Sequence, residues 1–364
     1  MLKRSLTAFA TSLAVSFLAS SALAENVVKV YNWTDYIHKD ILNDFSAETG
    51  IKLIYDVFDS NDILETKLLA GKSGYDVVVP SANFMARQIQ AGVFQKLDQE
   101  KLPNLKNMWE MIKKRTAQFD PDNAYSVNYM WGTTGMGYNV DKVKERLNLD
   151  KITSWDVFLE PENLAKLADC GVHVVDAADE VFAIALHHLG KDPNSTLKSD
   201  YKEAAKVLQK IRPYISKFHS SEYISALANG DICLAVGWSG DFLQARDRAD
   251  EAGNGVKINL SVPKTGAIMW FDQLAIPNDA DNVDNAHTFI NYIMRPDVMA
   301  KASNYVYYAN GNLASQKMLT DDVLNDPAIY PDAETLDNLF VHLPLSPKTQ
   351  RIVTRLWTSV ISGQ

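Results

Sequence analysis

The chain has 364 residues, a net charge of −9 and two cysteines. Hydrophobic residues make up 46% and charged residues 22%, which supplies a full core for one large or two smaller domains and excludes a disordered chain. The acidic balance argues against a nucleic-acid binder, whose footprint would be basic, and two cysteines cannot build a disulfide scaffold or a cysteine zinc site.

The first residues address the compartment. Lys3 and Arg4 precede an apolar or small stretch over 6–18, and Ala22-Leu23-Ala24 is a small-residue cleavage signal. This pattern predicts a secretory signal peptide over 1–24, cut after Ala24. Removing those 24 residues, two of them basic and none acidic, would leave 340 residues and a net charge of −11. The apolar run is too short to span a membrane, no cysteine follows the cut to carry a lipid, and no later stretch reaches 18 apolar residues. An exported chain would meet an oxidising compartment, so Cys170 and Cys233 are expected to pair, with two separate buried thiols as the alternative.

The elements then alternate. Residues 27–32 read as a strand, 39–48 as a helix stopped at Gly50, and 51–57 as a second strand. Ser60 or Asn61 caps a helix ended by Gly71; 75–80 is a third strand and 83–91 a third helix. Short connections between strand and helix predict a parallel sheet covered by helices. Residues 98–122 are polar and turn-rich. Strands resume at 172–175 and 232–236, each followed by a helix, at 181–189 and 241–249. Residues 256–262 and 274–276 are again strand-like, and the last sixty read as helices with loops. The extended, glycine-bearing stretches 129–138 and 258–266 are the crossover candidates between two lobes.

Common enzyme signatures are missing. There is no H-E-x-x-H and no G-x-S-x-G, and Gly71-Lys72-Ser73 lacks the glycine five residues earlier that would complete a phosphate loop, since Thr66 stands there. His187 and His188 are adjacent on a helix and point to different faces, one packed and one solvated rather than both on a metal. No metal or cofactor is expected.

What recurs is tryptophan near aspartate at strand ends: Trp33-Thr34-Asp35-Tyr36, Trp238-Ser239-Gly240-Asp241 and Trp270-Phe271-Asp272. Residues two apart in extended chain share a face, so Trp33 with Asp35 and Trp270 with Asp272 are expected to point together. A fourth case, Trp155-Asp156, follows Thr153-Ser154 and reads as helix capping. An aromatic face beside a carboxylate suits an organic cation: the acid accepts charged N–H donors, and the ring attracts the ammonium by about 0.5–2 kcal/mol. Each pair alone also fits core packing and capping; three at strand ends of an α/β chain point to a ligand site.

The segments Val30-Tyr31-Asn32-Trp33-Thr34-Asp35-Tyr36-Ile37, Tyr55-Asp56-Val57-Phe58-Asp59-Ser60-Asn61 and Tyr75-Asp76-Val77-Val78-Val79-Pro80-Ser81 resemble one family. So do Asn229-Gly230-Asp231-Ile232-Cys233 and Gly237-Trp238-Ser239-Gly240-Asp241. The family is the periplasmic putrescine/spermidine-binding proteins of bacterial ABC importers, and the similarity runs from about Val27 to Arg355-Leu356-Trp357-Thr358. It implies a type II periplasmic-binding fold: two α/β lobes joined by crossover strands, with the ligand cleft between them. The first lobe would hold 25–132 and 260–308, and the second 133–259 and 309–364. Trp33, Trp238 and Trp270 would form an aromatic box with Tyr36 and Tyr308. Asp35, Asp241, Glu180 and Asp272 would bind amines, with Thr34 and Ser81 as polar neighbours. Glu180, Ser81 and Tyr308 come from the resemblance; taken bare, Glu180 is a first-turn helix acid and Ser81 a helix-start residue.

The resemblance implies a periplasmic monomer that closes on a polyamine, docks on a membrane permease and performs no catalysis. Asp35, Asp241 and Ala177 look like putrescine binders, Trp270 like spermidine binders, and Asn83 like neither, so ligand length stays open. Asp35 and Asp241, one from each lobe, would share one end of the ligand. Three other readings stand beside this one. Tyr307-Tyr308 resembles the paired tyrosines of ferric-ion binders on the same fold. Cys170 or Cys233 would serve as nucleophile in an enzyme. A loaded protein could dock on a sensor instead of a permease.

Overall fold

The computed structural model describes residues 26–363, so the signal peptide expected over 1–24 lies outside the described residues. β1 (Val27–Trp33) and β2 (Lys52–Phe58) run parallel, from Val27 beside Lys52 to Trp33 beside Phe58. β3 (Val77–Val78) pairs parallel on the other side of β1. The intervening helices, Lys39–Thr49 and Asn61–Ala70, use the punctuation read from the sequence. Gly50 ends the first at φ 68°, a left-handed conformation that glycine adopts without strain, and the Ser60 hydroxyl accepts the N–H of Ile63 to start the second.

β4 (Ser126–Asn139) is the longest strand and is buried along all 14 residues. After it come β5 (Val172–Val174), β6 (Lys217–Phe218), β7 (Leu234–Trp238), β8 (Ile258–Ser261), β9 (Ile268–Ala275), and the two-residue β10 (Ala309–Asn310) and β11 (Phe340–Val341). The strands run β2-β1-β3-β9-β4-β7-β5-β6, with β8 and β10 paired to β4 and β11 to β9. β4 changes partner midway. Up to Thr133 it pairs antiparallel with β9, and from Thr134 it pairs antiparallel with β7. β5 lies parallel to both β6 and β7. The sheets are mixed, not purely parallel as expected: β2-β1-β3 and β7-β5-β6 run parallel, and the pairings of β4 with β7–β10 and of β3 with β9 are antiparallel; one continuous strand joins them, the architecture of a type II periplasmic-binding fold.

The apolar packing divides with the sheets. One core gathers β1–β3 with Phe45, Met85, Phe289 and Ile290; a second gathers β5 and β7 with Phe158, Phe182, Val353 and Trp357. Trp238 and Trp270 pack against both. Residues 309–364, expected wholly with the second lobe, pack in two places. Ala309, Leu319, Val323 and Ile329 join Ile112, Phe119 and Trp131, whereas Val353, Trp357 and Val360 on the helix Pro347–Ser362 join the second core.

Cys170 and Cys233 form the expected disulfide, with Cα atoms 5.5 Å apart, tying the approach to β5 to the entry of β7. Neither is therefore a thiol nucleophile. The bridge closes a loop across 63 positions, for which the chain-entropy relation gives about 4 kcal/mol of stabilisation. Cys170→Ser/Cys233→Ser should lose most of that in urea unfolding; a loss under about 1 kcal/mol would mean the unfolded chain is already constrained there.

Candidate functional site

The carboxyl ends of β1 and β7, and the segments that follow β3 and β5, converge on one cavity, as parallel α/β strands do at ligand sites. Trp33 ends β1 and Trp238 ends β7; Ser81 starts the helix after β3, and Glu180 lies in the first turn of the helix after β5. The cavity holds about 490 Å³ of atom-free space, part of it open to solvent. Trp33, Thr34, Tyr36, Ser81, Glu180, Trp238, Asp241, Trp270, Asp272 and Tyr308 line it, and among the described residues no lysine, arginine or histidine does.

Three carboxylates inside it are held by hydroxyl and indole donors instead of cations. Asp272, on β9 and 4% exposed, accepts from Ser81 Oγ at 2.6 Å and Tyr36 OH at 2.7 Å. Ser81 is a helix N-cap whose hydroxyl is turned to Asp272 and not to its own helix. Asp241, 7% exposed in the first turn of the helix Ser239–Ala252, accepts from Tyr223 OH at 2.5 Å and Tyr308 OH at 2.7 Å. Glu180 accepts from Thr134 Oγ1 at 2.5 Å and from Trp238 Nε1 at 3.2 Å. Burial is the largest influence on all three and raises Asp272 and Glu180 to about 7 and Asp241 to about 6. The hydroxyl donors, which pull the other way, do not cancel it.

The walls are aromatic. Trp33 and Trp238 meet edge to face at 5.4 Å, Trp270 meets Tyr308 at 5.1 Å, and Tyr36 meets Tyr308 at 5.4 Å. Trp33 is fixed by its indole N–H on the Val79 carbonyl at 2.9 Å. Thr34 donates to Asp59 at 2.7 Å. Trp270 and Asp272, two apart on β9, both reach the cavity.

Asp35 does not reach it. β1 ends at Trp33 and Asp35 takes φ 55°, so the alternation that would have aligned it with Trp33 has already stopped. Its carboxylate pairs with Arg248, 3.2 Å away on the helix that carries Asp241. Asp241 therefore lines the cavity and Asp35 does not, against the expectation that the two would meet at one end of a ligand. Phe58, Asp59, Ser220, Ser221 and Ile224 line the cavity without having been singled out. Phe58-Asp59 ends β2, so the strand-end rule that marked Trp33 would have found it. Ser220, Ser221 and Ile224, and Tyr223 behind Asp241, carry no local motif.

The other sequence candidates resolve separately. Tyr308 faces the cavity, but Tyr307 lines a different surface hollow with Asp247, so the adjacent phenols do not converge on one metal. Among the described residues no group of three or more His, Cys, Asp or Glu could hold a metal ion. His187 and His188 are both half-buried, one on the Thr265 carbonyl and one beside Glu160. Asp156 opens a four-residue helix with its N–H on Ser154 Oγ, as its capping sequence suggested. Asn83 donates to Asp179 at 3.1 Å, and Ala177 lines an adjoining space beyond Trp33 and Trp238.

The chain is similar to known proteins over most of its length. A family profile described as bacterial extracellular solute-binding protein matches residues 40–331. A putrescine-binding periplasmic protein of Escherichia coli K12 is 52% identical over 94% of this chain and 93% of its own. A putrescine-binding periplasmic protein of Pseudomonas aeruginosa is 48% identical over 98% of each chain. Among solved structures, a Listeria monocytogenes chain assigned provisionally to a spermidine/putrescine ABC transporter superposes with a TM-score of 0.82 at 32% identity, covering 92% of this chain and 98% of that one.

Proposed function

The chain belongs to the bacterial extracellular solute-binding proteins, among the periplasmic polyamine-binding proteins of ABC importers, and from that premise we propose that it captures a linear polyamine and delivers it to a membrane permease. One observation carries the ligand class. Among the described residues four acids line the cavity, Asp59, Glu180, Asp241 and Asp272, and no basic side chain does, so a cationic occupant would balance its charge. The aromatic walls suit methylenes, at roughly 0.8 kcal/mol per buried CH₂, and attract the ammonium ends. Trp33, Tyr36, Trp238, Trp270 and Tyr308 would cover the chain; Glu180, Asp241 and Asp272 would hold the amines.

On this reading the two cores are lobes that close on the ligand, about 25–132 with 260–308 and 133–259 with 309–364, the tail touching both. Closure would depend on ligand, because an empty closed site buries unpaired acids. No helix among the described residues is long and apolar enough to cross a membrane, which agrees with a periplasmic protein freed by cleavage after Ala24. We propose a monomer without catalytic activity.

Calorimetry on protein unfolded and refolded to strip carried ligand tests this, with putrescine, spermidine, spermine, lysine and ferric citrate as titrants. A linear polyamine should bind tightly while lysine, which adds a carboxylate to an acidic cavity, gives no heat. The pH dependence has a fixed sign. The ligand needs ionised carboxylates, and these take up protons in the empty protein as pH falls through about 7 and then about 6. Affinity should therefore be greatest above pH 7 and fall by up to about tenfold per pH unit for each group that must give up its proton. A dissociation constant unchanged between pH 8 and pH 5.5 would show that these acids do not meet the amines.

A further inference from the structure

A groove outside the ligand cavity is walled by elements of both cores. Leu69 lies on the helix Asn61–Ala70, Arg87 and Gln88 on Ala82–Gln90, and Gln350, Arg351 and Arg355 on Pro347–Ser362. The first two helices pack with β1–β3 through Leu64, Leu68 and Met85; the last packs in the second core through Val353 and Trp357. The groove holds about 1,780 Å³, open to solvent, so its width depends on how the two cores sit together.

Its charge runs against the rest of the molecule. The chain is acidic by nine charges, yet among the described residues Glu65 is the only acid lining the groove, and Arg87 neutralises it bidentately at 2.6 and 2.7 Å. Arg351 and Arg355 stand one helical turn apart, both exposed, with no acidic partner among the described residues. Two acceptors also wait there. Gln88 is 1% exposed with its amide N–H turned to Glu65, and among the described residues neither its Oε1 nor the buried Oε1 of Gln350 has a donor. A buried acceptor without a donor costs about 1–3 kcal/mol, and a backbone N–H from an extended segment would satisfy it. Leu69, 56% exposed, adds an apolar contact.

We propose that this groove docks an extended, acidic periplasmic segment of the membrane permease, with Arg351 and Arg355 taking its carboxylates and Gln88 and Gln350 its backbone N–H groups. The partner's identity rests on the transport reading above; the groove's chemistry does not. Because the walls belong to different cores, the segment senses their closed arrangement. A flat bilayer does not reach the glutamines at the floor, which favours a peptide over an anionic lipid surface.

The test uses the permease–ATPase complex of the same organism in lipid nanodiscs, reading association by interferometry and stimulation of ATP hydrolysis. Arg351→Glu/Arg355→Glu should weaken association at least about tenfold and flatten its salt dependence, while polyamine calorimetry stays at wild-type values. Lys206→Glu/Lys210→Glu, which makes the same charge change on the exposed face of the helix Lys198–Ile211, should associate as wild type does. Equal association of all three proteins, or equal loss in both double variants, overturns the groove assignment. Capture of the wild type by permease-free anionic nanodiscs overturns the occupant. If the wild type gives no heat with any polyamine yet associates through Arg351 and Arg355, the ligand reading fails and the docking surface stands.

Discussion

Asp272→Asn is expected to weaken polyamine binding by about 10²–10³-fold while leaving the empty protein at least as stable as wild type. The substitution keeps the shape of the side chain and a hydrogen-bonding group opposite both Ser81 and Tyr36, whose hydroxyls can each donate or accept. What it removes is a charge that burial already disfavours strongly enough to raise the group to about 7. That charge is a liability in the empty cavity and an asset only when an ammonium sits beside it. The sign of the stability effect follows from proton binding. Between pH 4 and 7 the folded protein holds a proton on Asp272 that the unfolded chain releases, so empty wild type gains stability as pH falls through that window. The asparagine variant lacks that part of the gain. Affinity from calorimetry and stability from urea unfolding should therefore move apart, and a fall in affinity under about threefold would remove Asp272 from the ligand's charge-bearing contacts.

Gly240→Ala should also disable binding, and here the usual expectation reverses. Alanine in a helix normally gains up to about 1 kcal/mol over glycine. Gly240 has no left-handed φ to explain its identity, so its role is closeness. A Cβ there would lie 2.6 Å from two ring carbons of Tyr308. The opposite edge of that ring rests on Gly132 of β4, where a Cβ would come 2.9 Å from Tyr308 and 2.7 Å from Trp270. Tyr308 is thus clamped between two glycine backbones, and its hydroxyl meets Asp241 both as donor at 2.7 Å and as acceptor of the backbone N–H at 3.2 Å. Displacing the ring uncouples that contact and disturbs Trp270 and Tyr36 beside it. A loss of about 1–3 kcal/mol in stability and at least about tenfold in affinity is expected. A Gly240→Ala protein that is more stable and binds normally would show that the ring has room to move.

The alternation of strand and helix in the first ninety residues was legible because each element is punctuated locally, by Ser60 and Gly50 among others. The site was legible where two chemistry-bearing residues sit close in sequence at a strand end or within a strand, as Trp238 with Asp241 and Trp270 with Asp272 do. It failed at Asp35, where two residues beyond the strand the backbone turns left-handed and an alternation argument no longer applies. Glu180 and Ser81 looked like ordinary helix-start residues because they are helix-start residues; what makes them more is Thr134, Trp238 and Asp272, between 46 and 191 positions away. Ser220-Ser221 are brought in by the pairing of β6 with β5, and Tyr223 by the packing of the helix Glu222–Ala228 on Ser239–Ala252; none leaves a trace nearby in the chain. The groove at Arg351 and Arg355 is of the same kind, since its walls come from opposite ends of the sequence.

β4 hands over from β9 to β7 between Thr133 and Thr134, and on the two-lobe reading proposed above it would act as a torsion bar shared by two sheets. Twisting the backbone at that step, together with the loop between β8 and β9, would swing the sheets apart without breaking a rung of either ladder. The resistance to such a swing then resides in side chains that bridge the divide, among them Asp35 with Arg248, Asn83 with Asp179, Tyr308 with Asp241, and Trp33 against Trp238. Amides of β4 should accordingly exchange with solvent deuterium at the rate of global unfolding, whether or not the cavity is filled, while the amides next to those bridging pairs slow when ligand is added.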